Sequence, residues 1–164
     1  MKKILITGAL GYIGSEILKA VKESAQECLA IDKSDDTFGG VLSLDLKDAA
    51  KTLKLIIDFK PDVIIHCATY SALAYRGQFL NSFQEDFSVT VNILNALASM
   101  PDCRLVYFSS SYVYSGLAVR QNYDESSPLA PQHNFGIAKS FFEQFILKIH
   151  PNAVIFRLCS VFGP

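Results

Sequence analysis

Charge of one sign, closely spaced cysteines and long apolar runs are all scarce in this sequence. The 164 residues carry 15 basic and 16 acidic side chains, and Lys and Arg form no run. This balance argues against a nucleic-acid-binding protein and against a protein that adheres to an anionic membrane surface. No apolar stretch is long enough, and free enough of Gly, Ser and Asn, to span a bilayer. We therefore expect neither nucleic acid nor a membrane among the partners.

The cysteines indicate neither a disulfide framework nor a metal centre. Cys28, Cys67, Cys103 and Cys159 are widely separated, without a CxxC pair or a His pair at metal-ligand spacing. Each lies in or beside an apolar run, so we expect buried free thiols and no bound metal. Free thiols are typical of a reducing compartment, which predicts a cytoplasmic protein.

Half of the residues are apolar, which is enough for one domain over residues 1–164 with a sizeable core. Short, almost wholly apolar runs are typical of strands covered on both faces of a parallel sheet. Such runs predict strands at 3–7, 28–32, 41–44, 63–67, 104–109 and 154–158. The amphipathic segments between them predict helices at 12–24, 47–59, 79–100 and 135–149. The alternation predicts an α/β fold with a doubly wound parallel sheet.

A glycine-rich segment joins the first predicted strand to the first predicted helix. It contains Gly8, Gly11 and Gly14, with Tyr12 and Ile13 between the last two. In this context one glycine permits a tight turn, one lets backbone approach a pyrophosphate, and one lets the helix pack closely on the strand. The free N–H groups at the helix N-terminus favour phosphate charge. The segment therefore predicts a dinucleotide-binding site.

The second predicted strand ends at an acidic residue, Asp32. A carboxylate there can accept hydrogen bonds from the adenosine ribose hydroxyls and repel the 2′-phosphate of NADP. Lys33 follows directly and partly offsets that repulsion. We therefore expect NAD as the cofactor and regard NADP as less favoured, with a flavin or a nucleoside phosphate less favoured again.

These features resemble the extended short-chain dehydrogenases/reductases, a family of nucleotide-sugar epimerases, dehydratases and reductases with a Rossmann-type NAD(P)-binding domain. The TGxxGxxG spacing of residues 7–14 carries the resemblance, and further landmarks follow in order along the whole chain. The landmarks are Asp45 with Leu46, the segment 62–68, the SSSYVY segment 109–114, Asp124 with Glu125, Pro131, and the RLCSVFGP segment 157–164. The resemblance implies cofactor contacts beside the adenine ring and at the end of the fourth strand, made by Asp45, Leu46, Cys67, Ala68 and Thr69.

The resemblance also implies a catalytic group of Ser, Tyr and Lys, of which the chain carries two members. Ser110 matches the serine by position, and Lys139 matches the lysine, which in the family also holds the nicotinamide ribose. Four residues before Lys139, where the family has the tyrosine, stands Phe135, which has no ionisable oxygen. Losing a general acid/base costs on the order of 10²–10⁴ in rate. Asp86 and Ser160 occupy two further positions at which the family usually has Asn.

Two interpretations of Phe135 stay open. A substitute acid or base can come from Tyr112, with Tyr70 and His133 as less favoured candidates. Alternatively, the domain binds dinucleotide without turning over, as a sensor or a scaffold.

The resemblance has a consequence for the size and assembly of the protein. Members of the family continue beyond the Gly-Pro motif into a smaller C-terminal lobe that forms most of the nucleotide-sugar pocket. This chain lacks that lobe, so it is either a fragment of a longer protein or a short cofactor-binding module. The helices from Phe79 to Met100 and from Phe135 to Ile149 resemble the pair that builds the family's dimer interface. We expect a homodimer, the alternative being that their aromatic side chains simply face the sheet.

Overall fold

A parallel sheet of six strands forms the centre of the computed structural model, which describes residues 1–24, 26–36, 39–117 and 122–162. The order across the sheet is β3-β2-β1-β4-β5-β6, with every neighbouring pair parallel. The strands are β1 (Lys3–Thr7), β2 (Glu27–Asp32), β3 (Leu42–Ser43), β4 (Val63–His66), β5 (Arg104–Ser110) and β6 (Ala153–Leu158). The predicted doubly wound α/β fold is confirmed.

Helices connect the strands. They are α1 (Tyr12–Glu23), α2 (Ala49–Phe59), α3 (Ala72–Gly77), α4 (Phe79–Leu97) and α5 (Asn134–Ile149), with a short 3₁₀ helix at Ser111–Tyr114. The four predicted helices are confirmed to within a few residues, whereas α3 and the 3₁₀ helix were not predicted. The predicted terminal motif at Gly163 and Pro164 lies outside the described residues. No helix in the described part of the chain combines the length and apolar character needed to cross a membrane.

The core lies on both faces of the central strands. Leu5, Ile6 and Ile64 are fully buried, as the continuous apolar runs predict for strands covered by helices on two sides. Thr7 pairs in register with Ile31 of β2 and with His66 of β4. The sheet order reverses beside β1, and in open α/β sheets a crevice forms outside the carboxyl ends of the strands at such a switch point.

An aromatic cluster fills the space between α4 and α5. Phe83 packs against Phe141 and Phe142, with ring centroids 5.2 and 5.4 Å apart. Phe142 is fully buried and also contacts Tyr107 of β5, whereas Phe141 is 39% exposed. The cluster therefore has an inner side on the sheet and an outer side that reaches the surface.

All four cysteines are free, but the prediction that they are buried is wrong for Cys159, which is exposed. It follows the last residue of β6, where the chain leaves the sheet. Cys28 and Cys67 are partly exposed, and Cys103 alone of the four is buried.

Candidate functional site

A cleft runs along the carboxyl edge of the sheet on both sides of the β1–α1 turn. Its β2 half is lined by the ends of β2 and β3 together with α4, and its β5 half by the end of β5 and the first turns of α5. Gly8, Gly11, Cys67, Thr69 and Tyr70 line both halves. The cleft therefore continues from one half to the other beneath the turn.

The β1–α1 turn depends on two of its glycines. Gly8 has a φ of +66°, and a Cβ on it would lie 2.6 Å from the backbone nitrogen of Ala68. A Cβ on Gly14 would lie 2.1 Å from the carbonyl oxygen of Gly8. Side chains at these positions would push the turn, α1 and the end of β4 apart. Glycine thus lets backbone form the floor of the cleft.

The N-terminus of α1 opens into the β5 half of the cleft, where Tyr12, Ile13 and Gly14 form part of the lining. Gly11 precedes the helix and makes no side-chain capping bond. The first-turn N–H groups therefore suit an anionic ligand, because they and the helix dipole both favour negative charge. This cradle of backbone fits the pyrophosphate of a dinucleotide.

The carboxylate of Asp32 is held at the mouth of the β2 half. Leu10 N donates to its Oδ2 and Ser34 N to its Oδ1, each at 3.0 Å. Each oxygen keeps a further lone pair. The carboxylate can therefore accept hydrogen bonds from vicinal hydroxyl groups such as those of a ribose.

Part of the lining of the β2 half is apolar, and hydrogen bonds hold its backbone in place. Leu46 is 5% exposed, and its carbonyl oxygen accepts from Thr52 Oγ1 at 3.1 Å and from Asn92 Nδ2 at 2.8 Å. Asp45 Oδ1 accepts from Lys47 N at 2.9 Å. Leu44, Ala68 and Val89 complete an apolar slot suited to a flat ring.

Lys139 of α5 places a buried ammonium group at the floor of the β5 half. Its Nζ donates to the carbonyl oxygen of Phe108 at 2.8 Å and to the hydroxyl oxygens of Tyr107 and Thr69 at 3.1 Å each. Burial lowers the pKa of this lysine to about 8, although the carboxylate of Asp86 acts in the opposite direction.

Phe135 occupies the place at which the family resemblance expects a phenol. Its ring centroid lies 5.4 Å from Lys139 Nζ, so the two residues share one face of α5 as their spacing predicts. The ring also packs against Tyr75 and Tyr112, at 5.6 and 5.9 Å between centroids. Tyr107 does touch the ammonium, but complete burial raises its pKa well above the usual value and keeps it protonated.

The structure brings Ser110, Phe135 and Lys139 to the same half of the cleft. Ser110 Oγ accepts from Tyr112 N at 3.2 Å, which leaves its own proton available for a ligand. The side chain of Tyr112 lies beyond Phe135, in a neighbouring depression that His133 also lines. The predicted substitute acid Tyr112 is therefore close to the site but separated from the cleft by Phe135.

Asp86 is a site residue whose surroundings the sequence did not reveal. The Tyr75 hydroxyl donates to its Oδ2 at 2.8 Å, and Tyr70 N donates to its Oδ1 at 3.1 Å. Burial raises the pKa of this carboxyl to about 6, against the opposing effects of the Tyr75 hydrogen bond and of Lys139. The departure from Asn was visible in the sequence, but these contacts come from α3 and from the end of β4.

Sequence comparison connects the whole chain with one family. The model of the RmlD substrate binding domain matches residues 1–164. Methionine adenosyltransferase 2 subunit beta of Xenopus tropicalis is 32% identical over 169 residues, covering 99% of this chain and 48% of that protein. The dTDP-4-dehydrorhamnose reductase of Aggregatibacter actinomycetemcomitans is 28% identical over 167 residues, covering 99% and 53%. The chain thus spans about half the length of these curated relatives.

Solved structures share the fold. The Bordetella bronchiseptica enzyme WbmH in complex with NAD⁺ superposes with a TM-score of 0.85 at 26% identity, over 100% of this chain and 58% of that chain. The dTDP-4-dehydrorhamnose reductase of Bacillus anthracis in complex with NADP superposes with a TM-score of 0.82 at 24% identity, over 96% and 53%. Structural neighbours of the chain therefore bind NAD or NADP.

Proposed function

This chain belongs to the RmlD substrate binding domain family of extended short-chain dehydrogenases/reductases, and we propose that its cleft binds NAD for the modification of a nucleotide-activated sugar. The observation that carries the proposal is the order of groups along one sheet edge. Asp32, the backbone cradle at Gly8 and Gly14, and the ammonium of Lys139 follow one another along the cleft. That order suits a ribose, a pyrophosphate and a second ribose.

The proposal assigns one part of the cofactor to each part of the cleft. Asp32 accepts from the adenosine ribose, and the adenine ring lies in the apolar slot beside Asp45 and Leu46. The α1 N-terminus holds the pyrophosphate. Lys139, at the floor of the β5 half, donates to the nicotinamide ribose in exchange for one of the three hydrogen bonds that its ammonium now makes.

Cys67, Ala68 and Thr69 lie along the middle of the proposed path. They follow β4 directly, and Gly8 touches the backbone of Ala68. Thr69 Oγ1 accepts from Lys139 Nζ at 3.1 Å, which links the middle of the cleft to its catalytic end. Thr69 therefore holds the ammonium relative to the segment whose backbone lies against the glycine turn.

The proposed chemistry needs hydride transfer and proton transfer. A bound nicotinamide ring supplies or accepts the hydride. Ser110 makes a hydrogen bond to a sugar oxygen through its free hydroxyl proton, and the positive charge of Lys139 favours a negative charge that develops nearby. Phe135 neither donates nor accepts a proton, so proton transfer requires Tyr112 to rotate past Phe135 into the cleft.

A second candidate function is NAD binding without hydride transfer. Phe135 favours it directly, because this residue lines the cleft with its ring centroid 5.4 Å from Lys139 Nζ and carries no ionisable group. The groups assigned to the cofactor stay in place without a phenol at position 135. A sensor or scaffold could therefore retain the whole cofactor site.

The two functions can be separated by turnover measured on the protein as its source makes it. NAD or NADH is supplied with a panel of UDP- and dTDP-activated sugars and their 4-keto forms, the sugar products are separated by chromatography, and NADH is followed by absorbance. The proposal predicts that the wild type converts at least one of these sugars. Turnover by Phe135→Tyr alone would establish the second candidate, and failure of the wild type to bind NAD would exclude both.

A further inference from the structure

A side-chain bridge crosses the mouth of the β2 half of the cleft. Tyr70, which follows β4, donates its hydroxyl proton to Glu85 Oε2 of α4 at 2.8 Å. Lys33, which follows β2, donates from Nζ to the same Tyr70 hydroxyl oxygen at 3.4 Å and lies 5.1 Å from the ring centroid. The bridge thus connects the β2 wall of the cleft to the α4 wall.

Glu85 also engages the second lysine of this half. Lys47 Nζ lies 3.2 Å from Glu85 Oε2 and 3.8 Å from Asp45 Oδ2. The Tyr70 hydrogen bond, followed by that of Lys47, lowers the pKa of Glu85, and Lys33 adds a smaller effect in the same direction. Glu85 is therefore the common acceptor for one hydroxyl and one ammonium, and it draws a second ammonium towards them.

The charges that line the β2 half are mostly negative. Four carboxyl groups stand against two ammonium groups; the carboxyl groups are Asp32, Asp45, Glu85 and Asp86, and the ammonium groups are Lys33 and Lys47. Both lysines that line this half are drawn towards Glu85 or its Tyr70 partner. A 2′-phosphate on the adenosine ribose would lie close to Asp32 and needs a cation to offset that repulsion.

We propose that Glu85 and Tyr70 are specificity-determining residues, which select NAD over NADP by withholding Lys33 and Lys47 from the 2′-phosphate position. The inference rests on the proposed function, because it assumes that adenosine occupies the β2 half. Asp32 repels the 2′-phosphate, and the bridge holds Lys33, the cation that follows Asp32 in sequence, away from that phosphate. The preference for NAD thus depends on residues at four elements, β2, β3, β4 and α4, and not on Asp32 alone.

The test compares the dissociation constants of NAD and NADP by titration calorimetry at low ionic strength. Glu85→Gln removes one negative charge and releases the lysines, so NADP binding should tighten roughly fivefold or more while NAD binding changes by less than about twofold. Tyr70→Phe removes the hydroxyl that joins Lys33 to Glu85 but leaves the pair of Glu85 and Lys47, so it should give a smaller gain. Adding Lys33→Ala to Glu85→Gln should remove much of the gain.

Glu27→Gln is the matched control. It removes the same charge at the amino end of β2, where Glu27 pairs with Lys3 at 3.1 Å, and it should change neither constant. Unchanged NADP binding by Glu85→Gln, with normal NAD binding, would overturn the inference and leave the proposed function standing. A gain that fully survives the addition of Lys33→Ala would overturn the role given to Lys33. Failure of the wild type to bind NAD would instead overturn the proposed function.

Discussion

The ring of Phe135 and the ammonium of Lys139 lie within 5.4 Å of each other, on the face of α5 that borders the cleft. A hydroxyl added to that ring enters the field of a buried positive charge, which favours the phenolate. In Phe135→Tyr we therefore expect a phenol with a pKa below the usual value of about 10. Difference absorbance during a pH titration measures it directly.

Phe141→Tyr is the control for that titration. Phe141 lies on the same helix and is 39% exposed, so a phenol there should titrate close to its usual pKa. Identical titration curves for the two variants would contradict the electrostatic role given to Lys139.

Asp86 predicts a pH dependence of stability. Its folded pKa, about 6, lies above the ordinary value of 3.8, so the folded state holds a proton that the unfolded state has released between these values. The contribution of Asp86 to stability is therefore fully present below pH 3.8 and is lost as the pH rises through 6. Wild type should gain on the order of 2–3 kcal/mol relative to Asp86→Asn between pH 7 and 4. Urea unfolding of both proteins tests this, and a constant difference would contradict it.

At the scale of elements, the β1–α1 turn is the part of the fold least able to accept a side chain. Gly14→Ala places a methyl group 2.1 Å from the Gly8 carbonyl oxygen, and we expect it to cost about 3 kcal/mol of stability. Gly77→Ala is the matched control at the end of α3, where nothing lies within 4 Å of the added methyl. It should be neutral or stabilising by roughly 0.5–1 kcal/mol. Denaturant unfolding measures both, and equal effects would refute the account of the turn.

Hydrophobic periodicity predicted the elements that are long or continuously apolar. It failed to predict elements that are too short to show a pattern. The buried strands around Leu5 and Ile64 have no polar face, so their sequences alone mark them. Helix α3 spans only Ala72–Gly77, too short to show a repeating apolar face. The glycine turn and Asp32 could be predicted because each has a fixed place relative to one strand or helix, whereas Lys139 was implied by the family resemblance; all of them line the cleft.

Sequence patterns could not predict the bridge at Tyr70. Lys33, Tyr70 and Glu85 come from three separate elements, and their side chains meet only after the sheet has formed. Tyr112 shows the same limit of sequence patterns, because here the pattern suggested a position that the structure does not give. Its position two residues after Ser110 suggested the cleft, whereas the 3₁₀ helix that follows β5 directs the side chain beyond Phe135.

At the scale of the whole molecule, we propose that the outer side of the α4–α5 cluster pairs with a second copy of the chain. Ile137 and Phe141 are one helical turn apart on α5 and are 44% and 39% exposed. Ile137→Glu would bury charge at such an interface, so it should convert a dimer into a monomer in sedimentation experiments. Leu53→Glu, at a residue 40% exposed on α2, should leave the dimer intact. A monomeric wild type would refute the proposal.

The central claim is that the edge cleft binds NAD through the glycine turn and Lys139. Calorimetric titration of NAD into the 164-residue chain tests it most directly, with Gly14→Ala measured alongside after its folding has been checked by circular dichroism. The account predicts saturable binding of one NAD per chain by the wild type and its loss in Gly14→Ala. Absence of saturable binding by the folded wild type, or equal binding by Gly14→Ala, would contradict it.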